Sequence, residues 1–217
     1  MKLSEFSLTV LKNFASINSG LVIQAGPTQR TMSPEKSVLV EATLEDVFPC
    51  QFGIYDLNQF LGNTLALDNP DMNFTNKMVM MQDDMMTVKY SSCNPELIIS
   101  PPNKELVLND PEVTFDLSQS VVNKLLRLAS MNNLPHLSLI VKENELFVQV
   151  HDKSNDLSNY ASIRIGNHTG TDMIATFKTE NIKMIPDDYL VQVKLGKFAT
   201  FTSKTKSLKY FIVVEAK

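Results

Sequence analysis

The apolar positions of this chain change their period several times, and each change marks an element. Leu3, Phe6, Val10, Phe14 and Ile17 recur every three or four residues, opposite Glu5, Thr9, Lys12, Asn13 and Ser16. That is the stripe of an amphipathic helix, with Ser4 placed to cap it and Gly20 to end it. Strands are then expected at 21–24, 30–32 and 38–43, with a turn about Gly26-Pro27. A strand at 51–55 leads to Asp56, the cap of a second helix that runs to about Leu65 and buries Leu57, Phe60, Leu61 and Leu65. Short strands follow at 72–75, 78–82 and 85–91, the last two joined by an Asp83-Asp84 turn.

The stretch 94–111, NPELIISPPNKELVLNDP, interrupts this order. It holds Pro95, Pro101, Pro102 and Pro111, four of the ten prolines. Proline fixes φ and donates no backbone N–H, so the run suits neither a helix nor a central strand. Its apolar residues, Leu97, Ile98, Ile99, Leu106, Val107 and Leu108, are too many for a free linker. The expected arrangement is an extended connector lying on a folded surface and helping to form a groove.

Beyond it the pattern begins again. A strand at 113–116 precedes a third helix over 117–131, with Val121, Val122, Leu125, Leu126 and Ala129 inward and Ser120, Asn123, Lys124 and Arg127 outward. Strands at 136–142 and 145–151 are joined by a Glu143-Asn144 turn, and a polar loop at 153–159 leads to a strand at 160–166. Then come a strand at 174–178, a short fourth helix at 179–185 stopped by Pro186, and strands at 189–195, 198–203 and 208–215. The unbroken apolar run 210–214 suggests a strand covered on both faces. A helix plus about three strands therefore occurs four times, twice on each side of the connector. Such repetition predicts an α+β protein of two similar domains, each with two helices packed on antiparallel β-sheets. The expected boundaries are 1–93, a connector at 94–111, and 112–217, with all four helices sharing one side.

Composition narrows the function more by exclusion. The chain has 217 residues, 43% hydrophobic and 20% charged, which fits folded domains of ordinary composition. No apolar run approaches the roughly 18 residues of a membrane-crossing helix, and the N-terminus lacks the core of a signal peptide. Cys50 and Cys93 have no metal-ligand spacing and are expected to be reduced, as in a cytoplasmic protein. His136, His151 and His168 are far apart in sequence, and no phosphate-binding or nucleophile motif is present. The acidic pairs Asp83-Asp84 and Asp187-Asp188 suit turns. No catalytic residue, metal or cofactor is expected. The methionines Met78, Met80, Met81, Met85 and Met86 read as hairpin core or as an adaptable partner surface.

The formal charge is −4 at pH 7, so the surface is not broadly basic. Positive side chains nevertheless gather on the polar helix faces: Lys12 on the first, Lys124 and Arg127 three apart on the third, Lys178 and Lys183 beside and on the fourth. No aromatic residues interleave with them, so base stacking is not indicated. Lysines without base-reading neighbours suit contact with phosphates that is blind to sequence.

Ordered segments give this a family. LKNFASINSG (11–20), IYDLNQFLG (54–62), PPNK (101–104), LLRLAS (125–130), NIKMIPDDY (181–189) and YFIVVEA (210–216) resemble the DNA polymerase sliding clamps of T-even-type bacteriophages. The resemblance spans nearly the whole chain. It implies a homotrimeric ring of two-domain subunits around duplex DNA, opened by an ATP-driven clamp loader and tethering the replicative DNA polymerase. Such clamps act without enzymatic activity and also serve late transcription, in the cytoplasm of the infected bacterium. By motif position, Lys2, Lys12, Arg127 and Lys183 would face the DNA, with Lys124 and Lys178 added from helix geometry. The connector would cover an apolar pocket for the polymerase's C-terminal peptide, with Leu106, Val107, Leu108, Tyr210 and Ile212 expected to contribute. Subunits would join through the strand at 86–91, by Met86, Val88 and Tyr90, and the strand at 160–165, by Tyr160, Ser162 and Arg164. The sequence departs from the family in having no tryptophan, in the Met- and Asp-rich stretch 65–86, and in stopping just after its last strand. The competing expectations are a viral structural or assembly protein with a clamp-like fold, which gives no reason for basic helix faces, and an enzyme, for which the sequence offers no site.

Overall fold

A computed structural model describes residues 1–155 and 157–215. One position of the polar loop at 153–159 and Ala216 of the last family motif lie outside the described residues. The chain divides into two compact units, Met1–Glu105 and Leu106–Lys217, so the division falls inside the proline-rich connector.

The first unit opens with helix α1 (Glu5–Ile17), where the Ser4 side chain accepts from the Ser7 N–H and satisfies a donor that has no partner inside the helix. Val10, Leu11 and Phe14 are fully buried. Strands β1 (Leu21–Ile23) and β4 (Phe52–Ile54) pair with one another, and β2 (Gly26–Met32) pairs with the long β3 (Val38–Phe48). The expected turn at Gly26-Pro27 is instead the start of β2, with Gly26 at φ 104° opposite Phe48 and a register shift before Thr28. From Gly26 to Thr28 β2 advances two residues while their partners on β3, Phe48 and Thr43, are five apart, so three extra residues bulge from β3 and the ladder bends without ending. Helix α2 (Leu57–Leu65) is capped by Asp56, whose carboxylate accepts from the Gln59 N–H. It packs on α1. The strands β5 (Asp71–Phe74), β6 (Met78–Gln82) and β7 (Thr87–Ser91) form an antiparallel sheet in that order. Leu65, expected inside, is 54% exposed because Thr64 takes the inward position and donates to the Phe60 carbonyl.

The second unit begins with β8 (Val113–Leu117) and helix α3 (Gln119–Asn132), capped by Ser118. Asn133 ends the helix in the left-handed region at φ 53°, and the Leu134 N–H returns to the Ala129 carbonyl at 2.9 Å, the geometry of a Schellman stop. Strands β9 (His136–Lys142), β10 (Glu145–His151), β11 (Ala161–Asn167) and β12 (Met173–Lys178) form a sheet in the order β11-β10-β9-β12. Glu143 and Asn144 both lie at positive φ, as a two-residue hairpin turn requires. Strands β13 (Tyr189–Val193), β14 (Phe198–Ser203) and β15 (Leu208–Val213) run beside β8 in the order β8-β13-β14-β15. Tyr210, Phe211 and Ile212 of β15 are all buried, as the unbroken apolar run predicts.

The fourth helix does not form. Only a single 3-10 turn, Thr179–Asn181, stands there, and no side chain caps it. The described residues therefore contain three α-helices, and the second unit has one where two were expected. Seven residues before a proline are too few to nucleate a helix without strong caps. Tertiary partners then take over the backbone. The Tyr210 hydroxyl accepts from the Ile185 N–H at 2.9 Å, and the Tyr189 hydroxyl donates to the Ile185 carbonyl. The two rings meet edge to face, 6.0 Å apart, with both hydroxyls buried.

Candidate nucleic-acid and partner-binding surfaces

Each helix presents the face that burial leaves over. On α1 the exposed residues are Glu5, Thr9, Lys12 and Ser16, so Lys12 is the single positive group among them. On α2 they include Asn58, Gln59 and Gly62, which carry no charge. On α3, Val122, Leu125 and Ala129 are buried, while Ser120, Asn123, Lys124 and Arg127 are exposed. Lys124 and Arg127 thus stand side by side one turn apart, above a face anchored by three apolar residues. A phosphate backbone could meet both without any base being read.

The other basic candidates are placed differently. Without a fourth helix, Lys178 is the last residue of β12, where it pairs with Glu180 at 3.4 Å, and Lys183 lies exposed in the irregular segment that follows. Lys2 borders a cleft of about 620 Å³ with Asp68, Asp71, Asp83 and Asp84. Four carboxylates around one ammonium make that cleft acidic, and it would repel a phosphate rather than hold it. Asp83 is fixed there by N–H donors from Asp68, Met85 and Met86, which hold its carboxyl below the usual range.

The partner residues split into two kinds. Leu106 and Leu108 are half-buried and Val107 is 60% exposed, so the second part of the connector offers apolar surface to solvent. Tyr210 and Ile212 are 1% and 0% exposed, packed inside the second unit. β15 is covered on both faces, so neither side chain is reachable without opening the core. The first half of the connector does line a groove, as expected of its apolar run, though the sequence does not single out the wall opposite it. The groove measures about 290 Å³ and lies between the first half of the connector, at Leu97, Ile98 and Ile99, and the α1–β1 turn with Pro34 and Tyr55. Leu97 and Tyr55 are each 69% exposed at its rim and Ile99 is 45% exposed. The signal for the connector half was present in its apolar run. Tyr55 and Pro34 come from distant positions that only the fold brings near.

Among the described residues, β7 pairs only with β6, and β11 pairs only with β10, so both are sheet edges. Met86 and the side chains of Tyr160, Ser162 and Arg164 are exposed, and Arg164 pairs with Glu145 at 2.6 Å. Val88 is half-buried. Tyr90 points inward: it stacks edge to face on Phe60 and donates to the Asp56 carbonyl. In the methionine cluster Met81 is fully buried while Met85 is 95% exposed at the β6–β7 turn, so it serves partly as core and partly as surface.

His136 and His151, distant in sequence, are cross-strand partners on β9 and β10 with ring centroids 5.8 Å apart. The His136 ring accepts from the Lys153 N–H, and His151 bonds to the Ser138 hydroxyl at 2.8 Å. No group of three or more metal-binding side chains occurs among the described residues, and none of their helices is long and apolar enough to cross a membrane.

Residues 2–95 match the family model of the DNA polymerase processivity factor. Over its full length the chain is 29% identical to the sliding clamp of Vibrio phage KVP40, covering 100% of both chains. It is 27% identical to the sliding clamp of Enterobacteria phage T4, covering 100% of this chain and 97% of that one. Its fold is similar to that of A. fulgidus PCNA, solved with the C-terminal region of FEN-1, at a TM-score of 0.75 and 10% identity over 100% of this chain and 97% of that chain.

Proposed function

We propose that this chain, a T4-type phage sliding clamp and so a processivity factor of phage DNA polymerase, closes as a homotrimer around duplex DNA and slides without reading sequence. The observation that carries this is the end-to-end similarity to two phage sliding clamps, with no part of either chain left over beyond a few per cent. Lys12, Lys124 and Arg127 would face the duplex from solvent-exposed helix faces. Their contacts are few, as sliding requires, because many tight phosphate contacts would hold the ring in place. Lys178 and Lys183 would add weaker positive potential. Retention would come from ring closure, not from affinity.

In this proposal β7 of one subunit pairs edge to edge with β11 of the next, which would remove two exposed ladders of N–H and C=O groups. The ring needs an ATP-driven loader to open it. The replicative polymerase docks by its C-terminal peptide on the connector; a C-terminal region, that of FEN-1, is likewise what is bound to the structurally similar A. fulgidus PCNA. Within the first unit the groove at Leu97, Ile98 and Ile99 supplies apolar contact, and within the second unit Leu106, Val107 and Leu108 do. Late-transcription factors would use the same surface. The chain acts without chemistry of its own, in the cytoplasm of the infected bacterium. A viral assembly protein on the same fold is the second possibility, and the exposed Lys124–Arg127 pair on α3 favours the clamp.

The test is native mass by light scattering over a concentration series, followed by polymerase processivity on primed circular DNA with the loader. A subunit is 24.4 kDa, so a trimer is three times that mass and should dissociate on dilution. A trimer that extends polymerase runs is the expected result. A chain that stays monomeric and leaves processivity unchanged would remove the proposal.

A further inference from the structure

The connector's first half is held to the first unit by a small set of polar contacts, and one buried side chain is their centre. Asn18, at the C-terminal end of α1, is 7% exposed. Its side-chain amide donates to the Met32 carbonyl at the end of β2 and to the Ile99 carbonyl of the connector, each at 2.9 Å. Its oxygen accepts from the Gly20 N–H at 3.0 Å. Its own N–H caps the helix on the Phe14 carbonyl. A side-chain amide has two N–H donors, and both are used here, so one residue ties together a helix end, a strand end and the connector.

The neighbouring packing depends on the same anchor. Ile98 lies against Gly20 so closely that a Cβ there would meet the Ile98 methyl at 3.2 Å. Further along, the Arg30 guanidinium donates to the Pro102 carbonyl at 2.9 Å while pairing with Glu41 at 3.2 Å. Asn18 also borders the groove between the connector and Tyr55. Asn suits this role by both chemistry and length. Asp has the same shape but cannot donate to two carbonyls, and Ser is too short to span from Met32 to Ile99 while accepting from Gly20.

We propose that Asn18 is a positioning residue for partner docking: it sets where Ile98 and Ile99 lie, and so keeps the groove along the connector in the shape that accepts an apolar peptide. This rests on the docking role given to the connector above. Asn18 itself stays buried and acts through the connector backbone.

The experiment uses the full-length chain and a synthetic peptide copied from the C-terminus of the phage's replicative DNA polymerase. Peptide affinity is read by fluorescence anisotropy, and amide exchange is followed at Leu97 and Ile98, whose N–H groups bond to the Asn94 and Pro95 carbonyls in the turn that Asn18 steadies. Asn18→Ala and Asn18→Asp should each weaken the peptide by about five-fold or more, roughly what losing one buried hydrogen bond is worth, and speed exchange at Leu97 and Ile98. Amides in the middle of α1 should stay as protected as before. Asn18→Asp buries a charge against two carbonyls, so if it does not fold, the neutral Asn18→Ala carries the test. Folded variants with unchanged exchange at Leu97 and Ile98 and unchanged peptide affinity would overturn the role of Asn18. A wild-type chain that does not bind the peptide would overturn the docking role of the connector instead, while the exchange data still decide whether Asn18 holds the segment.

Discussion

Replacing Asp187 with Asn probes how the second unit is held, and the expected size can be worked from its contacts. Asp187 is 7% exposed. Its carboxylate accepts from the Ser203 hydroxyl, from the Thr205 hydroxyl at 2.8 Å and N–H at 3.2 Å, and from the Asp188 N–H at 2.8 Å. The Lys206 ammonium stands 3.5 Å away. Burial by itself pushes the carboxyl up, but the bonds from Ser203, Thr205 and Asp188 outweigh it and bring the pKa from 3.8 down to about 2. The folded chain therefore binds this proton more weakly than the unfolded chain. The stability it contributes is fully present above about pH 4 and is lost as pH falls through about 2. That difference is on the order of 2 kcal/mol. Asp187→Asn keeps the size and removes the charge, so it should cost about 2 kcal/mol near neutral pH. Asp187→Ala leaves several buried donors unpaired and should cost more, about 3–5 kcal/mol. The assay is urea unfolding followed by circular dichroism at fixed protein concentration, because a ring's stability depends on concentration. The gap between wild type and Asp187→Asn should close as pH falls from about 4 to about 2. A gap that stays constant across that window would refute the account.

Three further outcomes are expected. Reversing the exposed pair, as Lys124→Glu with Arg127→Glu, should lower polymerase stimulation while changing unfolding free energy by no more than about 0.5 kcal/mol, and unchanged stimulation would remove α3 from the DNA-facing surface. Leu106→Asp with Leu108→Asp should weaken the polymerase peptide by about ten-fold or more while native mass stays that of the ring, and unchanged affinity would place docking elsewhere. Gly53→Ala should cost about 1–3 kcal/mol in urea unfolding, since its Cβ would lie 2.5 Å from the Cys93 carbonyl oxygen and 3.2 Å from its sulfur, and a neutral result would mean that this contact relaxes freely.

Periodicity made most elements legible because most are locally determined. Ser4, Asp56 and Ser118 cap their helices as their residue types suggest, and the strands at 78–82, 136–142, 145–151 and 198–203 have the expected bounds. What failed was decided at a distance. The segment 179–185 has helical spacing, but the Tyr189 and Tyr210 hydroxyls take the backbone groups of Ile185, and the Thr179 N–H goes to the Pro135 carbonyl. Asp187 reads as a turn acid, and one of its bonds is indeed to the next residue. Its other partners, Ser203 and Thr205, lie 16 and 18 positions away. The candidate surfaces divide in the same way. Exposure of Lys12, Lys124 and Arg127 follows from helix phase alone. The acidic surroundings of Lys2 depend on packing that no local spacing encodes, whereas the apolar run 210–214 already marks Tyr210 and Ile212 as buried and so as poor contributors to an open pocket.

The inward-facing tyrosines also give the chain an optical label. It has five tyrosines and no tryptophan, so its near-ultraviolet spectrum is dominated by phenol rings. Tyr55 and Tyr160 turn in solvent, while Tyr90 is fixed in the first unit and Tyr189 and Tyr210 are fixed edge to face in the second. Chiral signal arises from rings held in one orientation, so in a Tyr90→Phe chain the tyrosine band, at longer wavelength than the phenylalanine bands, would come chiefly from the second unit. Melting of each half could then be timed separately, without attaching a dye.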